Sequence, residues 1–253
     1  MEKLENSDPV YNDGRHYDAQ QKDFAVDIPF YLEQSVNYGD PILELACGTG
    51  RVSIPIAKSG FDVTGIDISS GMLNSAAVDA AEAGAKINFI KGDIRNFIID
   101  KKFNLIIFPF NSLAHLLDLE SVNGCFQSVR EHLLPDGRFI LDFMNPDFKY
   151  FMRDQSVSYP VDTYPDPDSD EMVIITENNF YDRATQINHI KWHYKIGEKE
   201  FTYDWSMRMY YPQELQALLI ENGFNIEHKF GSFDCAEFAT DSAKQIYVCS
   251  VKG

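Results

Sequence analysis

At 253 residues, 44% hydrophobic and 24% charged, the chain has the composition of a globular protein, with room for one large α/β domain or a core plus a modest appendage. A formal net charge of −17 argues against a general nucleic-acid binder, which must neutralise phosphates, and against docking on an anionic membrane. The four cysteines (Cys47, Cys125, Cys235 and Cys249) lack the close paired spacing of a zinc site, so free thiols and no metal are expected.

The first residues are polar and carry no apolar signal core, and no apolar run approaches the ~20 residues a membrane span needs. A soluble cytoplasmic protein is expected, as a monomer or homodimer. In chain order, Phe24, Ile28, Tyr31 and Leu32 recur at helical spacing within a predicted helix over 19–37. Gly39-Asp40-Pro41 breaks it, and the apolar run Pro41–Ala46 reads as a buried parallel strand. Cys47-Gly48-Thr49-Gly50 follows, then a helix over 51–59 stopped by Gly60.

The alternation continues with a strand over 61–67, a helix over 70–83, strands over 86–90 and 103–108, and a helix over 119–133. Pro135-Asp136-Gly137 reads as a turn and 138–143 as a fifth strand. Such alternation predicts a mostly parallel sheet with helices on both faces. Residues 156–170, with three prolines, read as a loop. Three period-2 segments, 171–180, 186–196 and 200–210, then predict an antiparallel meander. In the last of these Trp205, Met207 and Met209 read as its apolar underside, while Arg208 and Tyr210 on the other face are candidate substrate contacts. A helix over 212–222 and strands over 224–230 and 244–251 follow, the last two read as a hairpin.

The organisation expected is a helical lid segment over 1–39, a core over 40–147 and 211–253, and an inserted β appendage over 148–210 on the substrate side. The fold class is α/β: a seven-stranded, mostly parallel Rossmann-like sheet with an antiparallel terminal hairpin, plus the appendage.

The glycine loop between the first strand and helix carries the strongest chemical signal. Gly48 and Gly50 let backbone approach a ligand, and the helix start beyond offers N–H groups to an anionic group. Ser53 stands where a dinucleotide fingerprint wants its third glycine, which weakens that alternative. Asp67 ends the second strand, where a carboxylate can accept both hydroxyls of a ribose. Gly92-Asp93-Ile94 follows the third strand; Asp93 can bind an adenine amino group, with Ile94 and Met72 against the ring faces. The fourth strand ends at Phe108-Pro109-Phe110-Asn111, where Pro109 should face the ligand and Asn111 a substrate. His115, just beyond, is the candidate general base, and Asn145 a further substrate contact.

Ile42-Leu43-Glu44-Leu45-Ala46-Cys47-Gly48-Thr49-Gly50, Gly65-Ile66-Asp67-Ile68-Ser69-Ser70-Gly71-Met72-Leu73, Gly92-Asp93-Ile94 and Leu133-Leu134-Pro135-Asp136-Gly137-Arg138-Phe139 resemble, in order, the motifs of class I S-adenosylmethionine-dependent methyltransferases. The inserted strands are similar to those of a small-molecule subgroup that includes amino-sugar N,N-dimethyltransferases. The resemblance implies S-adenosyl-L-methionine as methyl donor and S-adenosyl-L-homocysteine as product. It implies that Glu44, Ala46, Gly48, Asp67, Ile68, Asp93 and Ile94 line the donor site. It also implies that Tyr11, Arg15 and Tyr17 belong to a lid, with Tyr17 near the chemistry and Arg15 paired with the methionine carboxylate. A small-molecule acceptor is expected, an amine nitrogen ahead of an oxygen. A nicotinamide-dependent oxidoreductase and a non-catalytic binding module are the readings from other classes.

Overall fold

The computed structural model describes residues 11–21 and 23–252. The polar segment over 1–10, read above as free of a signal core, lies outside the described residues. No helix among those described is long and apolar enough to cross a membrane.

Seven strands form one sheet: β1 (Ile42–Leu45), β2 (Val63–Asp67), β3 (Ile87–Lys91), β4 (Phe103–Phe108), β5 (Leu133–Met144), β10 (Phe224–Phe230) and β11 (Lys244–Val251). Their order is β10-β11-β5-β4-β1-β2-β3, parallel from β3 to β5, with β11 antiparallel to both its neighbours. The period-2 rule explains the layers. Ile42, Leu105, Ile107, Ile140, Ile246 and Val248 face one side and pack on Phe30 and Tyr31 of α2 (Ile28–Tyr38) and Ile56 of α3 (Ser53–Lys58). Their alternates Leu43, Ile106, Phe108, Phe139, Leu141 and Tyr247 face the other side, against α5 (Leu119–His132) and α7 (Pro212–Glu221). With both faces covered, β1 and β2 are buried at every position, the polar Glu44, Thr64 and Asp67 included.

The predicted helix over 19–37 is two helices, α1 (Gly14–Gln21) and α2. Pro29 lies in the first turn of α2, where a missing N–H costs nothing. Phe24, counted above as helical, falls between the two and packs edge-on against Phe110 with centroids 4.9 Å apart. The turn at Pro135-Asp136-Gly137 is a bulge within β5: Leu133 pairs with Phe103, and pairing resumes at Arg138 opposite Leu105.

The second sheet has four strands, β6 (Tyr159–Pro165), β7 (Met172–Asp182), β8 (Ile187–Ile196) and β9 (Lys199–Arg208), in antiparallel sequence order. β6 occupies the stretch read as a loop. Its prolines, Pro160 and Pro165, are tolerated because it is an edge strand. α6 (Phe148–Phe151) leads into this sheet, and α4 (Ser70–Glu82) lies between β2 and β3 in sequence.

Candidate active site

The strand order reverses between β1 and β4, and the carboxyl ends of these strands and of β2 open into a cavity of about 1070 Å³. The loop after β1 turns through left-handed backbone at Ala46 (φ 50°), Gly48 (φ 56°) and Gly50 (φ 81°). This aims the Gly48 N–H at Asp67 Oδ2, 2.8 Å away, while Asp67 Oδ1 accepts the Ser69 N–H at 2.8 Å. Burial raises the Asp67 pKa, and the bonds from Ser69 and Gly48 oppose that rise. Each oxygen takes one backbone donor and keeps acceptor capacity on the cavity side.

After β3, Asp93 holds the Arg95 side chain in a bidentate pair. Burial pushes the Asp93 pKa up, but the Arg95 hydrogen bonds outweigh it and the net shift is downward. After β4, Phe110 (φ 60°) and Asn111 (φ 59°) are consecutive left-handed residues without a glycine. Backbone of this kind is rare and marks a held conformation. Asn111 opens a short 3-10 turn over Ser112–His115 that delivers His115 to the cavity.

The N-terminal segment closes one side. Gly14 and Gly71 allow it to sit directly on α4: a Cβ on Gly71 would lie 2.1 Å from the Asn12 carbonyl oxygen, and one on Gly14 2.4 Å from Ser75 Oγ. Ser69 Oγ donates to the Tyr11 carbonyl at 2.8 Å. The Tyr11 hydroxyl meets His115 Nε2 at 3.1 Å, and the Tyr11 and Tyr17 ring centroids are 6.0 Å apart. The second sheet closes the opposite side. Trp205 of β9 stacks on His115 at 6.1 Å and meets Trp192 of β8 edge-on at 5.0 Å, with Ile190 and Met207 beside them.

The methyltransferase-domain family matches residues 42–137, the segment that carries β1 to β4 and their loops. The chain is 27% identical over 226 residues, 86% of each chain, to a Bacillus subtilis (strain 168) protein provisionally named methyltransferase YqeM. The chain carries a class I S-adenosylmethionine-dependent methyltransferase domain. Among curated relatives of this methyltransferase, a Streptomyces venezuelae dTDP-3-amino-3,4,6-trideoxy-alpha-D-glucopyranose N,N-dimethyltransferase is 28% identical over 129 residues, 50% of this chain and 53% of that one. Its fold is that of the S-adenosylmethionine-dependent methyltransferase from Clostridium acetobutylicum ATCC 824 (TM-score 0.78, 22% identity, 94% and 97% of the two chains). The CcbJ methyltransferase from Streptomyces caelestis shares it too (TM-score 0.81, 21% identity, 98% and 100%).

Of the residues singled out from the methyltransferase sequence, Tyr11, Tyr17, Ala46, Gly48, Asp67, Ile68, Met72, Gly92, Asp93, Ile94, Asn111 and His115 border the cavity. Seven do not. Arg15 points to the surface, where it pairs with Asp13 and Asp168 at 2.6 and 2.7 Å, far from a role in gripping a carboxylate inside. That guanidinium also supplies the counter-charge for the Asp13, His16 and Asp168 group. Glu44 is buried behind the loop and accepts from Ser53 Oγ. Gly50 lies beyond the loop's contact with the cavity, and its Cβ position faces Ile54. Pro109 is passed over in favour of Phe110. Asn145 donates to the Ser242 carbonyl at 2.8 Å.

Arg208 pairs with Glu214 at 2.8 Å, and Tyr210 is fully buried with its hydroxyl donating to the Leu116 carbonyl. The cavity wall is instead the apolar face of the second sheet. Alternation identified which residues share that face, but nothing local in the sequence says what the face covers, so Trp192 and Trp205 were not among the candidates.

Proposed function

We propose that this methyltransferase transfers a methyl group to the nitrogen of a small amine. The observation that carries the reading is the Tyr11–His115 pair at 3.1 Å, enclosed between the lid segment and the tryptophans of the second sheet, on the cavity shared with Asp67 and Gly48. An ammonium must shed a proton before it can attack, and a neutral amine sheds one as its nitrogen gains the methyl group; this pair can take it. With Nδ1 protonated, His115 accepts at Nε2, directly or through the Tyr11 hydroxyl.

The residues present fit S-adenosylmethionine. Asp67 offers acceptor-only oxygens to ribose hydroxyls, and Asp93 an acceptor to an adenine amino group. Met72 and Ile94 form apolar walls for the ring. Gly48 leaves backbone uncovered, since a Cβ there would come within 3.2 Å of Met72 Cε. When bound, the donor supplies a methyl carbon already activated by its sulfonium. The chain's own work is alignment and exclusion of water. Tyr17, Phe110 and Trp205 wall the space, and burial raises the Tyr17 pKa, which keeps that wall neutral. Glu44, whose pKa burial raises, supports the loop's shape from behind by accepting from Ser53 Oγ.

The printed name of the Streptomyces venezuelae relative, an N,N-dimethyltransferase of an amino sugar, supports nitrogen. An oxygen acceptor is the second reading. It is favoured by ubiquinone biosynthesis O-methyltransferases, such as that of Actinobacillus pleuropneumoniae serotype 7 (strain AP76), 32% identical over 48% of this chain and 54% of that one. The test is calorimetric titration with S-adenosylmethionine, S-adenosylhomocysteine and NAD, followed by labelled-methyl transfer to matched panels of primary amines and phenols. Binding of the first two and transfer to amines, lost in His115→Gln, is expected. Transfer to phenols alone would move the acceptor to oxygen, and binding of NAD alone would remove the reading altogether.

A further inference from the structure

The turn after β4 is held from behind by a lysine. Lys244 Nζ donates to Asn111 Oδ1 at 3.0 Å and to Asp142 Oδ1 at 2.7 Å. Asp142, fully buried on β5, uses its other oxygen to accept the Phe110 N–H at 2.7 Å and the Tyr31 hydroxyl at 2.8 Å. One carboxylate thus ties α2, β11 and the left-handed Phe110-Asn111 turn together.

An ammonium only donates, so it fixes the orientation of the Asn111 amide: oxygen toward Lys244, nitrogen away. That nitrogen is not spent elsewhere. Asn111 makes no side-chain cap on the 3-10 turn it begins. No described residue accepts from its Nδ2, and the atom is not among the buried polar atoms lacking a partner. The residue borders the cavity, and so does His115, four positions on in the same turn.

We propose that Asn111 is a specificity-determining residue that donates from Nδ2 to an oxygen of the methyl acceptor, with Lys244 and Asp142 as positioning residues that hold the amide in that sense. The acceptor class is then an amine that also carries a hydroxyl, ether or carbonyl oxygen. This rests on the reading of the cavity as a methyl-acceptor site.

The test compares trans-2-methoxycyclohexylamine with trans-2-ethylcyclohexylamine, which differ by an oxygen that can only accept. Each is titrated calorimetrically into the full chain saturated with S-adenosylhomocysteine. The wild type is expected to prefer the methoxy amine by about fivefold, the worth of one net hydrogen bond. Asn111→Asp keeps the shape and its pairing with Lys244 but has no donor; it should bind the two amines equally. Using the ratio cancels the added charge, which acts on both probes. Lys244→Met frees the amide to flip and should reduce the preference, while Lys244→Arg, still donor-only, should restore it.

Equal binding of the two amines by the wild type, binding of neither, or a preference that survives in Asn111→Asp overturns the proposal. So does a loss of S-adenosylhomocysteine affinity in Asn111→Asp, which would place the donors on the methyl-donor side. Failure of the wild type to bind S-adenosylhomocysteine at all would instead strike the underlying functional reading.

Discussion

Glu44 and Asp67 end up in different environments although both belong to the motifs that made the chain legible. Glu44 is buried with a hydroxyl donor from Ser53, and burial pushes its pKa up to about 8. A carboxyl that holds its proton in the folded state and releases it when unfolded makes stability fall as pH rises between the two pKa values. For Glu44 that window runs from its ordinary 4.5 to about 8. Glu44→Gln keeps a neutral side chain of the same size, so its melting temperature should gain on the wild type as pH is raised through that window. Parallel thermal melts check this, and a constant difference would show that Glu44 does not titrate there. For Asp67, removal of the carboxylate in Asp67→Ala should weaken S-adenosylhomocysteine binding by roughly 10- to 100-fold, the worth of one or two hydrogen bonds to a charged group. Calorimetry reads it directly, and unchanged affinity would remove Asp67 from the ribose. The spacing of Asp67 and Asp93 after predicted strands was enough to find them, because strand ends converge at the point where the sheet order reverses. Arg15 is illegible for the opposite reason: its partners, Asp13 and Asp168, include a residue far away in sequence, and no local pattern reveals such a pair.

At the scale of elements, the seating of the N-terminal segment on α4 depends on close approach more than on charge. α1 rests on α4 only because Gly14 and Gly71 have no side chains. In Gly71→Ala the new Cβ would meet the Asn12 carbonyl oxygen at 2.1 Å, and backbone cannot yield there cheaply. Alanine suits a helix better than glycine, so α4 itself should not suffer. The expected outcome is S-adenosylhomocysteine affinity lower by about tenfold with little change in melting temperature, and faster cleavage of the N-terminal segment by protease. Arg15→Ala provides the contrast. Its exposed pairs to Asp13 and Asp168 are screened by solvent, and affinity should stay within about threefold. A larger loss there than in Gly71→Ala would restore Arg15 to the site. Most elements were legible because parallel strands buried on both faces read as apolar runs between helices ended by Gly60 and Gly84. β6 was not, since prolines normally argue against a strand and only its edge position admits them.

The whole molecule is two sheets joined through the cavity they enclose, and the chain's two tryptophans, Trp192 and Trp205, both stand in its wall. Trp192 is anchored, its Nε1 donating to Glu177 at 2.9 Å. Trp205 Nε1 is buried without a partner among the described residues, a costly state that leaves this ring freer to respond to what enters. Tryptophan emission, excited at about 295 nm to avoid the tyrosines, therefore comes wholly from the second-sheet wall of the cavity, the side proposed to take the methyl acceptor. Saturation with S-adenosylhomocysteine, which should fill the side lined by Asp67 and Asp93, is expected to perturb emission only slightly. A bound amine, added to that complex, should change it strongly. The response should persist in Trp192→Phe and largely vanish in Trp205→Phe, because only Trp205 stacks on His115. If S-adenosylhomocysteine alone produced the full change, donor and acceptor sides would have to be exchanged. If neither ligand moved the emission, the second sheet would form no part of the acceptor site.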